Sequence, residues 1–150
     1  MTEPDARYFD DVTIGEPLPP LDLTVTLTTL VMYAGATWDF HRYHYDAEFV
    51  GKLGMSAPFM DGQMLGALLA RQLMQWGGQD AFLRRLHYRL SAMVFVGDEI
   101  VLSGEVARTQ IDSGCGLAVC RVDIVKSDGT NVVSAAEGTL DFGPLTAEAA

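Results

Sequence analysis

One segment of the chain carries apolar residues at helical spacing over about four turns, and it constrains the fold more than any other feature. It covers residues 62–76, and its stripe, apolar except for one glutamine, comprises Met64, Leu65, Leu68, Leu69, Gln72 and Leu73. Asp61 can cap the first turn, and the glycines at 77 and 78 can end the helix. Because no other long element has an apolar face, a sheet formed elsewhere in the chain has to pack against this helix.

The segments on either side of this helix alternate apolar and polar residues, which is typical of half-buried strands. Strands are predicted at residues 21–27, 86–90, 99–107, 116–126 and 132–142. Turn signals at residues 97–98, 112–114 and 128–129 separate the last four, so we expect these four to follow one another as antiparallel hairpins.

The remaining segments are a predicted loop over residues 8–20, a short helix over residues 30–36 capped by Thr28 or Thr29, and a mixed segment over residues 37–54. The order is therefore one strand, two helices and four strands. This order predicts an α+β fold in which an antiparallel sheet wraps round one central helix.

A chain of 150 residues, 49% of them hydrophobic, is long enough for one domain with a sizeable core. We expect one domain over residues 1–150, ordered over about 8–142, with loose tails at 1–7 and 143–150. The acidic N-terminus lacks the apolar region of a secretory signal, and no apolar run approaches the roughly 20 residues of a membrane span. We therefore expect a cytoplasmic protein.

The net charge of −10 argues against binding to nucleic acid or to an anionic membrane, since both are polyanions. The two cysteines, Cys115 and Cys120, are five positions apart, which is not a zinc-binding spacing. An odd separation on one strand places them on opposite faces, so they cannot form a local disulfide. The sequence therefore predicts no metal site and two unpaired thiols.

The densest group of chemically active side chains lies at residues 39–46, where two of the three histidines accompany two aspartates and two tyrosines. Adding water to a double bond requires one group to remove a proton from water and another to return a proton to carbon. Asp39 and His44 could divide that work at neutral pH. The alternative is that Asp39 caps a turn and His44 is a hydrogen-bonded buried histidine.

Gly62 begins the central helix, where backbone N–H groups have no partner within the helix and the helix dipole is positive. Such an N–H can stabilise an oxyanion, and the absence of a side chain allows a ligand to approach closely. The alternative is that Gly62 only begins the helix.

Two motifs resemble those of the MaoC-like (R)-specific enoyl-CoA hydratases. In residues 33–46, the Asp, His and second Asp of the family motif Gly-Asp-x-Asn-Pro-Leu-His-x-Asp match Asp39, His44 and Asp46, and residues 58–65 resemble the segment that carries the family's oxyanion glycine, here Gly62. Residues 8–15 and 95–100 are also similar to the family. The resemblance implies a hot-dog fold, catalysis by Asp39, His44 and Gly62, and no cofactor besides the coenzyme A of the substrate.

Three positions depart from the family pattern: His41, Arg42 and Asp61 occur where the family has Asn, Pro and His. The loop is more similar to the divergent small subunits of two-chain MaoC hydratases, which act on bulky CoA thioesters such as steroid side chains. The resemblance therefore implies an acyl-CoA substrate and either a homodimer or larger assembly, paired through edge strands, or a complex with a second MaoC-like subunit.

Candidate residues for the rest of the substrate follow from this interpretation, each beside a simpler alternative. The CoA phosphates require cations, and the candidates are Lys52, Arg84, Arg85 and Arg89, for which the simpler interpretation is solvated surface charge. The candidates for the acyl chain are Met55, Phe59, Met64 and Leu65, for which the simpler interpretation is a core residue.

Two other functions remain open at this point. A hot-dog thioesterase shares the fold and the oxyanion site but hydrolyses the thioester. A non-catalytic subunit of a two-chain hydratase would bind a partner without carrying out the reaction. The sequence does not assign the roles of base and acid between Asp39 and His44, nor the size of the acyl group.

Overall fold

The computed structural model describes residues 7–145, and its largest element is a five-stranded antiparallel sheet with the strand order β1-β3-β4-β5-β2. The strands are β1 (Pro17–Thr24), β2 (Phe82–His87), β3 (Glu99–Asp112), β4 (Cys115–Lys126) and β5 (Asn131–Pro144). The helices are α1 (Leu27–Thr37), α2 (Ala47–Lys52) and α3 (Gly62–Gly77), with 3-10 turns at Phe9–Asp11 and Arg42–His44.

The central helix predicted from the apolar stripe is confirmed as α3. Asp61 caps it by accepting a hydrogen bond from the Gln63 N–H at 3.0 Å, and the helix packs against β1, β2 and β5. Leu65, Leu69 and Leu73 are fully buried between the helix and the sheet. The α+β hot-dog prediction is confirmed by this layer of sheet on a single long helix. None of the described helices combines the length and the apolar character needed to cross a membrane.

The prediction that the last four strands form successive hairpins is wrong for β2 and β3. β2 pairs with β5 at one edge of the sheet, whereas β3 lies between β1 and β4. Residues 88–98, called the crossover segment below, connect the two and form isolated bridges from Leu90 to Val133 and from Phe95 to Phe59. The turn signal at residues 97–98 marks only the entry to β3.

The N-terminal part differs from the prediction in three further ways. β1 begins at Pro17 rather than residue 21, because it is an edge strand and an edge strand tolerates prolines on its unpaired side. β1 ends at Thr24 and α1 begins at Leu27, each three residues earlier than predicted, and α1 is capped by Thr26 rather than Thr28 or Thr29. α2 was not predicted, since its six residues are too few to show a helical period.

The two predicted tails lie largely outside the described residues. Arg7 is the exception at the N-terminus: its guanidinium contacts Glu16 at 2.5 Å and stacks 4.5 Å from the centre of the Trp76 ring. At the C-terminus, Gly143 and Pro144 belong to β5 rather than to a tail. The sheet therefore extends further than the sequence predicted.

One buried amide connects α3 to the irregular edge of the sheet. The register of β1 on β3 is interrupted between Leu18 and Leu21. At that break the Gln72 side-chain NH2 donates to the carbonyls of Pro19 at 3.0 Å and Leu102 at 3.1 Å. The amide therefore satisfies two carbonyl groups beside the sheet's irregular register.

Candidate active site

Three ionisable side chains converge at the beginning of α3. One oxygen each of Asp39 and Asp61 and one ring nitrogen of His44 lie within 4.8 Å of one another, and all three residues are half-buried. They line a narrow pocket, whose other lining residues are Leu30, Tyr33, Ala34 and Met64.

Asp39 enters this pocket because the chain reverses direction directly after α1. Trp38 adopts a left-handed conformation, with φ of 62°, and the Asp39 N–H donates to the Ala34 carbonyl at 3.0 Å. The Asp39 carboxylate accepts a hydrogen bond from the His41 N–H at 3.2 Å. Asp39 therefore stabilises a turn, as the simpler alternative proposed, and also faces the pocket.

The hydrogen bond of His44 defines the protonation of its ring. Nδ1 lies 2.8 Å from the carbonyl oxygen of Phe59, and a carbonyl can only accept. Nδ1 therefore carries the proton, and in the neutral imidazole Nε2 is the acceptor. The Phe59 ring packs edge-on against the imidazole at a centroid distance of 5.5 Å, which further fixes its orientation. This arrangement leaves Nε2 as the ring nitrogen available to the pocket.

Asp46, the second aspartate of the loop, has a structural role. Its carboxylate caps α2 by accepting from the Phe49 N–H at 2.9 Å and forms an ion pair with Arg42 at 2.7 Å. These two contacts, the backbone hydrogen bond first, lower the pKa of Asp46 below its ordinary value. The carboxylate thus holds the loop in place and does not line the pocket.

Gly62 lies next to the cluster, and its N–H forms no hydrogen bond with any residue that the structure describes. A Cβ at this position would lie 2.8 Å from a methyl group of Leu90. The Tyr88 hydroxyl donates to the Gly62 carbonyl at 3.2 Å, and its ring occupies the space left by the missing side chain of Gly66. The crossover segment therefore fixes the first turn of α3.

Beside Gly62 is a surface groove of about 630 Å³, counting space open to solvent. Its lining residues are Phe59, Met60, Gly62, Leu65, Leu90, Ser91, Ala92, Met93 and Val94. The free N–H of the helix start therefore lies between a pocket of proton-transfer groups and a largely apolar groove.

The candidate acyl-binding residues occupy different places. Phe59 and Leu65 line the surface groove, and Met64 lines the pocket with Asp39 and His44. Met55 is half-buried beyond α2 and lines neither space. Two of the four candidates thus line the same groove as Gly62.

The candidate cations are not gathered in one place. Arg84 forms ion pairs with Asp112 at 3.3 Å and Asp141 at 3.1 Å, and Lys52 pairs with Glu48 at 2.6 Å. Arg85 is exposed on β2, whereas Arg89 is exposed in the crossover segment, one residue before a lining residue of the groove. The structure thus brings only Arg89 close to the groove, and CoA binding by these cations stays a prediction.

Sequence analysis did not assign two of the side chains in the pocket to the site. The sequence predicts Asp61 to be a helix cap, and the structure confirms this. Its carboxylate also lies in the cluster with Asp39 and His44. Tyr33 was not singled out, although it lies on the same face of α1 as Leu30 and Ala34 and so follows the pocket side of that helix. Burial first, and then the charges of Asp61 and Asp39, raise the pKa of Tyr33.

The chain is similar in sequence to known proteins. The sequence profile of the family described as MaoC like domain matches residues 10–126. The chain is 30% identical over 101 residues to the 3-oxo-4,17-pregnadiene-20-carboxyl-CoA hydratase beta subunit of Mycobacterium tuberculosis, a match that covers 67% of this chain and 77% of the relative.

The fold of the chain is also similar to that of solved structures. A chain of the ChsH1-ChsH2 complex from Mycobacterium tuberculosis superposes with a TM-score of 0.76 at 27% identity, covering 86% of this chain and 97% of that one. The (R)-hydratase from A. caviae involved in PHA biosynthesis superposes with a TM-score of 0.79 at 22% identity, covering 89% of this chain and 98% of the other. At that identity the second likeness speaks for the fold alone.

Proposed function

The chain belongs to the family of MaoC-like domains, and we propose that it is a hydratase that reversibly adds water to a trans-2-enoyl-CoA thioester, giving a 3-hydroxyacyl-CoA. The observation that carries this proposal is the pairing of Asp39 with a His44 ring whose Nδ1 is held by a carbonyl, beside the free N–H of Gly62. The pair provides two proton acceptors, and the helix start provides a donor for an oxyanion.

In the hydration direction, a water molecule held by Asp39 and His44 donates one hydrogen to the Asp39 carboxylate and the other to Nε2 of His44. Both are acceptors, because a carboxylate offers only lone pairs and the proton of the neutral imidazole is on Nδ1. Two acceptors orient the water so that a lone pair on its oxygen faces the β-carbon of the enoyl group.

Attack forms a bond from the water oxygen to the β-carbon while one water proton passes to the Asp39–His44 pair. The π electrons of the double bond move toward the thioester carbonyl, whose oxygen becomes negatively charged. The Gly62 N–H, at the positive end of α3, stabilises that charge. The pair then donates a proton to the α-carbon, so the sum of the steps is the addition of one water.

The substrate class and the partner follow from the relatives and from the groove. A relative named as a hydratase beta subunit supports a bulky, steroid-like acyl-CoA, and a solved chain in a two-protein complex supports a second MaoC-like subunit as partner. The surface groove is consistent with this class, because it opens outward from Gly62 instead of ending in the core. No cofactor is proposed besides the coenzyme A of the substrate.

The proposal is tested by mixing the protein, alone and with the second subunit, with trans-2-enoyl-CoA thioesters from short-chain to steroid-sized. Loss of the conjugated enoyl absorbance measures hydration. The Asp39→Asn variant should lose at least about 100-fold in kcat, whereas Asp22→Asn, an exposed carboxylate on β1, should behave as wild type. Near-normal turnover by Asp39→Asn would overturn the assignment, and release of free CoA thiol would identify a thioesterase instead.

A further inference from the structure

Most of the polar side chains that line the acid–base pocket can only accept hydrogen bonds. The carboxylates of Asp39 and Asp61 offer only lone pairs, and the Nδ1–H of His44 is already bound to the Phe59 carbonyl. Leu30, Ala34 and Met64 offer no polar hydrogen. Among the described residues that line this pocket, the Tyr33 hydroxyl is therefore the side-chain donor that remains.

A water held by Asp39 and His44 can accept one hydrogen bond from a further donor. Its two hydrogens go to Asp39 and His44, one lone pair attacks the substrate, and the second lone pair has no partner. A half-buried acceptor without a hydrogen bond is costly, and a donor at the second lone pair also fixes the direction of the first.

Tyr33 is the candidate for such a donor. It is half-buried and lines the pocket from α1, together with Asp39 and His44. The hydroxyls of Tyr45 and Tyr88 donate to backbone carbonyls, whereas the Tyr33 hydroxyl forms no hydrogen bond with a residue that the structure describes. Burial and the nearby carboxylates raise the pKa of Tyr33, so the hydroxyl keeps its proton throughout the neutral range.

We propose that the Tyr33 hydroxyl donates a hydrogen bond to the reacting oxygen, which is the attacking water in hydration and the β-hydroxyl group of the 3-hydroxyacyl-CoA in the reverse reaction. Tyr33 is then a catalytic residue beside Asp39, His44 and Gly62. This inference rests on the hydration activity proposed above.

The test compares Tyr33→Phe, which removes only the hydroxyl, with Tyr43→Phe, which removes a hydroxyl from the neighbouring loop and keeps the ring stacked on His41. Tyr33→Phe should lower kcat/KM for hydration about tenfold, equivalent to about 1.4 kcal/mol, whereas Tyr43→Phe should stay within about twofold of wild type.

A binding measurement separates a catalytic hydroxyl from a structural one. In an Asp39→Asn background, which prevents turnover, the affinities for a 3-hydroxyacyl-CoA and for the saturated acyl-CoA of the same length are measured by calorimetry. Adding Tyr33→Phe should weaken the hydroxylated ligand about tenfold and leave the saturated one unchanged. Equal weakening of both, or no weakening of either, would refute the role of Tyr33.

The outcomes also distinguish this inference from the function on which it rests. If wild type hydrates an enoyl-CoA and Tyr33→Phe is equally active, only the role of Tyr33 is refuted. If wild type, with its partner subunit present, hydrates none of the thioesters, the proposed function fails and the inference fails with it.

Discussion

A methyl group added at Gly62 tests whether the start of α3 carries the substrate carbonyl. In Gly62→Ala, the new Cβ lies 2.8 Å from a methyl of Leu90, about 0.6 Å inside the ordinary contact limit of 3.4 Å. The Leu90 side chain is 41% exposed and can rotate outward, so the free energy of unfolding should change by less than about 0.5 kcal/mol. The methyl remains beside the N–H and obstructs the approach of a thioester.

Losing one oxyanion donor typically reduces kcat about 10²–10³-fold, so Gly62→Ala should reduce kcat/KM by at least about 10²-fold. The assay is hydration of the best enoyl-CoA, followed by absorbance, with thermal unfolding measured in parallel. Gly35→Ala is the matched control, because a Cβ on this exposed α1 glycine meets no atom within 4 Å. Wild-type activity in folded Gly62→Ala would refute the oxyanion role.

A double variant locates the cause of the loss. Leu90→Ala removes the methyl against which the new Cβ would press. If obstruction of the N–H is the cause, Gly62→Ala combined with Leu90→Ala should regain any lost thermal stability and stay inactive. Full recovery of kcat/KM in the double variant would show that displacement of Leu90, and not the blocked N–H, had reduced activity.

Three predictions concern stability. Gln72→Leu leaves the buried carbonyl of Leu102 and the partly buried carbonyl of Pro19 without their amide donor. It should lower the free energy of unfolding by about 1–3 kcal/mol, measured by urea denaturation. Although burial opposes it, hydrogen bonds from Trp76 and Arg7 lower the pKa of Glu16 below its ordinary value of 4.5. The ionised Glu16 therefore contributes its full share to the free energy of unfolding above pH 4.5, and this share is lost as the pH falls through the lower pKa of the folded state. In Glu16→Gln, the free energy of unfolding should decrease less steeply as the pH is lowered. Ala135→Gly should raise stability by about 1 kcal/mol, because Ala135 has a φ of 51°.

Each of these has an outcome that contradicts it. Unchanged urea midpoints for Gln72→Leu would mean that water replaces the amide at both carbonyls. An acid limb identical in Glu16→Gln and wild type would show that Glu16 does not contribute to acid unfolding. A lower melting temperature for Ala135→Gly would mean that chain entropy outweighs the relief of the left-handed backbone.

The elements that depend on local patterns could be predicted from the sequence. The apolar stripe and its capping Asp61 determine α3, and alternation with a turn at residues 128–129 determines β4 and β5. The position of β2 could not be predicted, because strand pairing between distant segments has no local signal and the turn at residues 97–98 looks like a hairpin. The start of β1 was predicted four residues too late for a related reason: prolines argue against a central strand, but an edge strand tolerates them.

The site residues likewise fall into those that the sequence could predict and those that it could not. Asp39 and His44 were found because they are close in sequence and differ in chemistry, and the structure places them together. Tyr33 could not be recognised, since an aromatic residue on a helix is usually a core residue. The pairing of Arg84 with two carboxylates was equally invisible, because its partners come from two other strands.

The first turn of α3 separates two tasks between two parts of the chain. The loop after α1 carries the proton-transfer pair, while the crossover segment supplies Leu90 and the outer wall of the groove. Under the proposed function, substitutions in residues 90–93 would alter which acyl groups fit without touching Asp39 or His44. Related chains could then differ in substrate while sharing one reaction.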